Sequence, residues 1–164
     1  MLLGSINHVS ITVKDLEAAM GFFRPLLEFM GFTIGEILEH HASTTRLTVN
    51  LNEKNGVAVN IWEAKAGLAD RPFQIYAPGL HHVAFNAGTH DQVDQLAALI
   101  PSIGGTLLEG PGEYPFGPGG YYAVYFTGPD GLKFEFIHMP LAEERAKVLD
   151  QLIAQAMASV RPPA

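Results

Sequence analysis

Three side chains of this sequence have the chemistry of metal ligands, although they lie far apart along the chain. His8 and His82 each begin a short run of alternating, largely apolar residues, and Glu135 lies near the end of another such run. Imidazole nitrogens and a carboxylate oxygen suit a borderline divalent ion, and three ligands of this kind leave positions for substrate, water or O₂. The alternative interpretation is a solvated sheet face or satisfied core histidines.

An internal repeat relates these positions to one another. Three short segments recur in the same order and at nearly the same offset: 7–11 with 81–85, 30–33 with 103–106, and 56–61 with 131–136. A period of this length is too long for a solenoid and indicates one duplicated supersecondary unit. His8 and His82 then occupy equivalent strand positions, and Asn60 is the equivalent of Glu135.

Each repeat is predicted to contain a strand, a helix and three further strands. Asp15 has the N-cap position before a helix over 16–28, and Thr89 with Gln92 has capping-box spacing before a second helix that ends near Pro101. Alternation and β-branched residues predict the strands. These span 6–13, 33–39, 44–51, 57–63, 82–87, 106–109, 122–127 and 132–137.

Strand parity gives each strand one apolar face for a covering helix and one polar face. His8, Asn60 and Glu135 all fall on polar faces, which predicts either a solvated surface or a cleft. In the third strand the same rule places Leu47, Val49 and Leu51 on the helix face. It places Arg46, Thr48 and Asn50 on the polar face.

These elements predict one α+β domain within residues 1–140, with a first module at about 1–63, a linker at 64–79 and a second module at about 80–140. Residues 141–160 carry apolar side chains at helical spacing, which predicts an amphipathic C-terminal helix. Open sheet edges and the apolar stripe of that helix both need cover, and a symmetric homodimer is the commonest way to supply it.

Composition excludes several classes of protein. Hydrophobic residues make up 48% of the 164 residues and charged residues 16%, as in a globular chain. The net charge of −7 argues against non-specific binding of nucleic acid or anionic membranes. No apolar run nears the ~20 residues of a membrane span, and no signal-peptide pattern is present. The absence of cysteine excludes thiolate chemistry and is compatible with a cytoplasmic location, which we expect.

The segments 7–16, 79–85 and 122–137 resemble the vicinal oxygen chelate superfamily of glyoxalase I, bleomycin-resistance proteins and extradiol dioxygenases, and the resemblance extends over about residues 5–138. It implies two βαβββ modules that form an open, curved, eight-stranded mixed sheet around a metal. It also implies that His8, His82 and Glu135 bind one divalent ion, with Fe, Mn, Ni, Co and Zn not distinguished. In such relatives the modules can pair across chains, so His8 meets the other two ligands either within one chain or across a dimer.

The resemblance implies a metal-dependent enzyme that acts on a small oxygenated substrate, as a lyase, an isomerase or an extradiol-type dioxygenase. Glyoxalase I-like members carry a second glutamate where this chain has Asn60, and an amide is a poor base, so this departure disfavours glyoxalase I chemistry. One alternative is a fosfomycin-type thiol transferase. Another is a metal-free, drug-sequestering protein of the bleomycin-resistance type, although such proteins lack the three ligands.

Five further residues are candidates for catalysis or substrate binding. Tyr125 lies where relatives have an active-site tyrosine, so the resemblance predicts that it supplies a proton or hydrogen bond. Tyr121 shares its parity, while Asn60 and Trp62 lie on the polar face of the fourth strand. Arg46 is predicted either to bind an anionic substrate or to form an ordinary ion pair.

Overall fold

The order strand, helix and three strands occurs twice in the computed structural model, which describes residues 5–71, 73–115 and 120–139. The first module contains β1 (His8–Val13), α1 (Leu16–Phe29), β2 (Ile37–His40), β3 (Thr45–Asn52) and β4 (Val57–Glu63). The second contains β5 (Val83–Asn86), α2 (His90–Ser102), β6 (Thr106–Glu113), β7 (Tyr122–Thr127) and β8 (Lys133–His138). The predicted helix over 141–160 lies outside the described residues.

Each module forms its own four-stranded mixed sheet. The strand orders are β1-β4-β3-β2 in the N-terminal sheet and β5-β8-β7-β6 in the C-terminal sheet. In both sheets the first strand of the module pairs in parallel with the last, and the remaining pairs are antiparallel. The two modules therefore have the same topology, as the repeat predicts. β6 is longer than predicted because its Gly/Pro-rich end continues to pair with β7 through two register shifts.

Both helices begin at the predicted caps. The Asp15 side chain accepts a hydrogen bond from the Ala18 N–H at 3.0 Å, and the Thr89 hydroxyl accepts one from the Gln92 N–H at 3.2 Å. α1 is followed by Gly31 in a left-handed conformation with φ of 80°, which glycine adopts at low steric cost. Within the described part of the chain, neither helix has the length and hydropathy to cross a membrane.

Helix α1 packs between the two sheets. It covers β3 and β4 of its own module. The rings of Phe22 and Phe23 also contact the ring of Phe134 in β8, with centroid distances of 6.3 and 5.8 Å. Phe22 further approaches Gly105 and Gly128, near the far edge of the C-terminal sheet. Buried residues of both modules consequently form one core. The helix-covered faces of the sheets are directed inward, and the opposite faces, which we call the open faces, are directed away from each other.

The two faces of β3 are the reverse of those predicted from the polarity of its residues. Val49 and Leu51 are each 42% exposed, whereas Thr48 and Asn50 are fully buried. The reason is the register, because Val49 pairs with Asn60 and therefore shares its open face. The assignment of Val49 and Leu51 to the helix-covered face was wrong.

Hydrogen bonds explain how the buried polar residues of β3 are tolerated. The Thr48 hydroxyl donates to the Gly35 carbonyl at 3.0 Å, and the Asn50 amide donates to the Val59 carbonyl at 2.8 Å. The Asn50 side-chain oxygen accepts from the Gly35 N–H at 3.3 Å. Because buried polar groups cost little when they are paired, these residues attach the segment before β2 to the sheet.

Candidate functional site

His82 and Glu135 meet on the open face of the C-terminal sheet. His82 directly precedes β5, and the parallel pairing of β5 with β8 places Ala84 opposite Glu135. The His82 Nε2 and Glu135 Oε2 atoms are 3.1 Å apart. The Glu135 side chain is only 3% exposed and that of His82 is 31% exposed. The carboxylate is therefore buried, while the imidazole beside it is partly exposed to solvent.

A group of three tyrosines surrounds the Glu135 carboxylate. The Tyr121 hydroxyl donates to Glu135 Oε1 at 2.5 Å and lies 3.4 Å from the Tyr125 hydroxyl. The Tyr114 ring contacts the rings of Tyr121 and Tyr125, with centroids 6.2 and 5.4 Å apart. Burial, assisted by the neighbouring hydroxyl and carboxylate groups, raises the pKa of Tyr125 well above its ordinary value. Burial likewise raises the pKa of Tyr121. Both phenols therefore keep their protons at neutral pH and can donate hydrogen bonds.

The imidazole rings of His81 and His82 are joined by a hydrogen bond. The Nδ1 atoms of the two rings are 2.7 Å apart, so one of them donates to the other. As a hydrogen bond, the 3.1 Å contact of Nε2 with the Glu135 carboxylate requires a proton on Nε2; when the proton is on Nδ1 and is donated to His81 instead, the lone pair lies on Nε2 and can bind a metal ion. The structure therefore pairs His82, and not its neighbour, with the carboxylate, and gives His81 contact with the remote nitrogen.

His8 lies on the open face of the N-terminal sheet and is exposed. Its Nδ1 is 2.9 Å from the Asn7 side-chain oxygen, so Nδ1–H donates and Nε2 keeps a lone pair. Ser10 and Asn60 share this face in register, and the Asn60 amide donates to the Ser10 hydroxyl at 3.3 Å. The Asn60 Oδ1 atom is buried and lacks a hydrogen-bond partner among the described residues. This acceptor is available to a water molecule or to a ligand.

His8 does not join His82 and Glu135 within one chain. No three His, Cys, Asp or Glu side chains in the described part of the molecule lie close enough together to hold a metal ion. The physical reason is the shared core, which directs the two open faces away from each other. The sequence left open whether His8 meets His82 and Glu135 within one chain or across a dimer. The described part of a single chain does not form the first of these arrangements. The ligand roles of these residues stay predictions.

Arg46 lies outside this group of residues. Its guanidinium donates to both carboxylate oxygens of Glu63 at 2.7 and 2.6 Å and to Glu17 of α1 at 2.8 Å. Hydrogen bonding from Arg46 lowers the pKa of Glu63. Arg46 thus faces the helix side of its sheet and forms the ion pair that was the alternative to substrate binding. Trp62, in contrast, lies on the open face, with its ring centroid 5.0 Å from that of His40.

Two residues near the site were given no role from the sequence. They are Tyr114 and Lys133, whose Nζ lies 5.0 Å from the centre of the Tyr125 ring. Parity in β8 gives Lys133 the same face as Glu135, which is a signal that the sequence does contain. Tyr114 follows a strand whose register shifts, so no simple alternation could assign it to that face.

A sequence model of the Glyoxalase/Bleomycin resistance protein/Dioxygenase superfamily matches residues 5–136. The chain belongs to this superfamily. The resemblance carried by the three ligand segments is thereby confirmed, as are the paired βαβββ modules. Members of the superfamily bind small-molecule substrates, often use a metal and often form dimers.

Several known proteins are similar to this chain over most of their length. Uncharacterized protein YqjT of Bacillus subtilis (strain 168) is 28% identical over 133 residues, which are 80% of this chain and 97% of the relative. Metallothiol transferase FosB of Lysinibacillus sphaericus (strain C3-41) is 26% identical over 136 residues, or 83% of each protein. The crystal structure of a glyoxylase/bleomycin resistance protein/dioxygenase domain from Frankia sp. EAN1pec shares the fold with a TM-score of 0.68 at 23% identity, covering 84% of this chain and 98% of that one.

Proposed function

We propose that this superfamily member is a divalent-metal-dependent enzyme whose site forms between two copies of the chain. His82 and Glu135 of one copy and His8 of the other are the protein ligands, and Asn60 lies at the same site. The observation that carries the proposal is the contact of His82 with the buried Glu135 at 3.1 Å on an outward-facing sheet. His8 lies on the other outward-facing sheet, and a second molecule brings the two faces together.

The residues present fit a divalent ion of borderline character. Two neutral imidazoles and one carboxylate are typical of such sites and leave positions open for a substrate. In each of the two histidines, the ring nitrogen that is not proposed to bind the ion has a hydrogen-bond partner. His82 Nδ1 contacts His81, and His8 Nδ1 contacts Asn7. This arrangement fixes the tautomer of a metal-binding histidine. The orphaned oxygen of Asn60 adds a neutral donor next to His8.

A divalent ion bound by these residues supplies Lewis-acid stabilisation of negative charge on a substrate oxygen. Tyr125 keeps its proton and lies beside the carboxylate, so it can donate a hydrogen bond to a substrate oxygen on that face, whereas Tyr121 donates its single hydroxyl proton to Glu135 Oε1. Asn60 cannot remove a carbon-bound proton at neutral pH. The chemistry therefore favours a small oxygenated substrate and an activity other than that of glyoxalase I, within the classes of lyase, isomerase and extradiol-type dioxygenase.

Thiol transfer is the second candidate function. The chain is 26% identical to metallothiol transferase FosB over 83% of both proteins, and that relative's name combines a metal with a thiol substrate. The third alternative, a metal-free drug-binding protein, predicts that His82 and Glu135 bind no metal ion.

Metal analysis of the purified protein tests the proposal. We expect one divalent ion per site in wild type, loss of tight binding in Glu135→Gln, and full retention in Glu39→Gln, which changes an exposed carboxylate in β2. Anaerobic purification followed by O₂-uptake assays with catechols then separates the dioxygenase from the non-redox classes. Full metal occupancy in Glu135→Gln, or no metal binding by wild type under any supplementation, would contradict the proposal.

A further inference from the structure

A cavity lies at the end of the N-terminal sheet that is remote from His8. Its volume is about 520 Å³, within the range of about 300–1,000 Å³ that is usual for small-molecule sites. Thr12 lines this cavity and is four residues from His8 on the same strand, which separates the two by about 13 Å at ~3.3 Å per residue. The cavity therefore lies away from His8, although Thr12 and Trp62 give it walls on the same open face.

The walls of this cavity are largely apolar and include two aromatic rings. Its lining includes the buried residues Val13 and Leu132 and the half-buried residues Trp62 and Phe73. The linker after β4, residues 64–71, forms another wall, so the cavity is bounded by both modules and the segment that joins them. Two aromatic side chains in a pocket whose surface is mostly apolar suit a flat, apolar ligand.

The carboxylates of the cavity already have partners. Glu63 receives two hydrogen bonds from Arg46, at 2.7 and 2.6 Å. The side chain of Asp130 accepts a hydrogen bond from the Lys14 backbone N–H at 2.7 Å. The Lys14 ammonium group in turn pairs with Asp70 at 2.5 Å. These negative groups are thus compensated within the protein and do not require a cation from solution.

Two cations remain at the mouth of the cavity. Lys65 and Arg71 line it, are exposed, and form no ion pair among the described residues. This local positive charge stands out in a chain whose net charge is −7. Uncompensated cations next to an apolar, aromatic interior match a ligand with a flat apolar body and an anionic end.

We propose that this cavity binds a small aromatic carboxylate. The ring system occupies the space between Trp62 and Phe73, and the carboxylate lies at the mouth, near Lys65 and Arg71. Binding here requires neither a metal ion nor a second copy of the chain, because the walls come from one molecule.

The test uses naphthoate as the probe and Trp62, the only tryptophan of the chain, as the fluorophore. In the full-length, metal-free protein, naphthoate should quench the tryptophan fluorescence saturably. The neutral analogue naphthyl methanol should bind about five- to tenfold more weakly, since contacts to exposed charges are individually modest. The double variant Lys65→Ala/Arg71→Ala should lose a similar factor for naphthoate and none for the alcohol.

Matched variants separate this site from the metal site. Lys54→Ala removes an exposed cation in the turn before β4 and should leave naphthoate affinity unchanged, as should Glu135→Gln and His8→Ala. Equal affinity for the acid and the alcohol, absence of saturable quenching, or unchanged affinity in Lys65→Ala/Arg71→Ala would overturn the proposal. Loss of naphthoate binding in Glu135→Gln or His8→Ala would also overturn it, because the ligand would then occupy the open-face site.

Discussion

His81 and His82 share a hydrogen bond between their Nδ1 atoms, which are 2.7 Å apart. If His82 binds a metal through Nε2, its Nδ1 must carry the proton and donate it to His81. Replacing His81 with Phe removes the acceptor and should weaken metal binding by about 10–100-fold, as is usual when a partner behind a metal-binding histidine is lost. His81→Gln keeps an acceptor oxygen and should restore part of the affinity. Competition with a chelator measures both variants, and equal affinity of wild type and His81→Phe would exclude this positioning role.

Tyr121 supplies a hydrogen bond to a carboxylate that is almost fully buried. Tyr121→Phe leaves Glu135 Oε1 without this donor, and the loss of a partner from a buried polar group costs about 1–3 kcal/mol. We expect a decrease of that size in the free energy of unfolding, measured with urea in the metal-free protein. Tyr76→Phe is the control, because Tyr76 is 89% exposed and should change stability very little. A Tyr121→Phe variant as stable as wild type would show that this hydrogen bond contributes nothing.

The ion pair of Arg46 with Glu63 predicts an acid-dependent contribution to stability. Because Arg46 lowers the pKa of Glu63 in the folded state, the pair stabilises the protein above the unfolded carboxyl pKa, near 4.5. That contribution is lost as the pH falls through the lowered folded pKa. Arg46→Met should therefore be less stable than wild type at neutral pH, and the difference should shrink below about pH 4.5. Urea unfolding at several pH values measures it, and a difference that grows in acid would contradict the assignment.

Asn60 occupies the position that is equivalent to Glu135 in the repeat, and it shares the open face with His8. Asn60→Glu adds an anionic ligand at this point and should tighten metal binding. If the missing base alone prevents glyoxalase I chemistry, the same variant should gain turnover of methylglyoxal–thiol adducts. Asn55→Glu, in the exposed turn before β4, is the control for added charge. Unchanged metal affinity in Asn60→Glu would place Asn60 away from the ion, and wild-type turnover of these adducts would show that another residue is the base.

The repeat made most of the fold predictable from the sequence. Matching segments around His8 and His82 identified two modules of the same topology, and local signals such as Asp15 and Thr89 located both helix starts. Parity also placed His8 and Glu135 on the faces that they occupy. These features depend on local sequence and on pattern, which a single chain displays directly.

Other features depend on tertiary contacts that no local pattern encodes. Val49 is exposed and Asn50 is buried because hydrogen bonds to the segment at Gly35 outweigh side-chain polarity. Arg46 meets Glu63 on the neighbouring strand and Glu17 of α1. The separation of His8 from His82 follows from the way in which the modules pack around α1, and the sequence alone left that packing open.

Complementation between two inactive variants tests the cross-chain site most directly. His8→Ala keeps His82 and Glu135, and Glu135→Ala keeps His8, so each homodimer lacks an intact site. In a mixed dimer, however, one site takes its intact His82 and Glu135 from the first variant and His8 from the second. Co-expression with two different affinity tags isolates the mixed dimer.

We expect this mixed dimer to recover about one metal ion per two chains with wild-type affinity, whereas each parent homodimer binds none tightly. A mixed dimer that binds no more metal than its parents, while wild type binds it tightly, would contradict the shared site. Wild-type protein that stays monomeric when it is fully loaded with metal would contradict it as well.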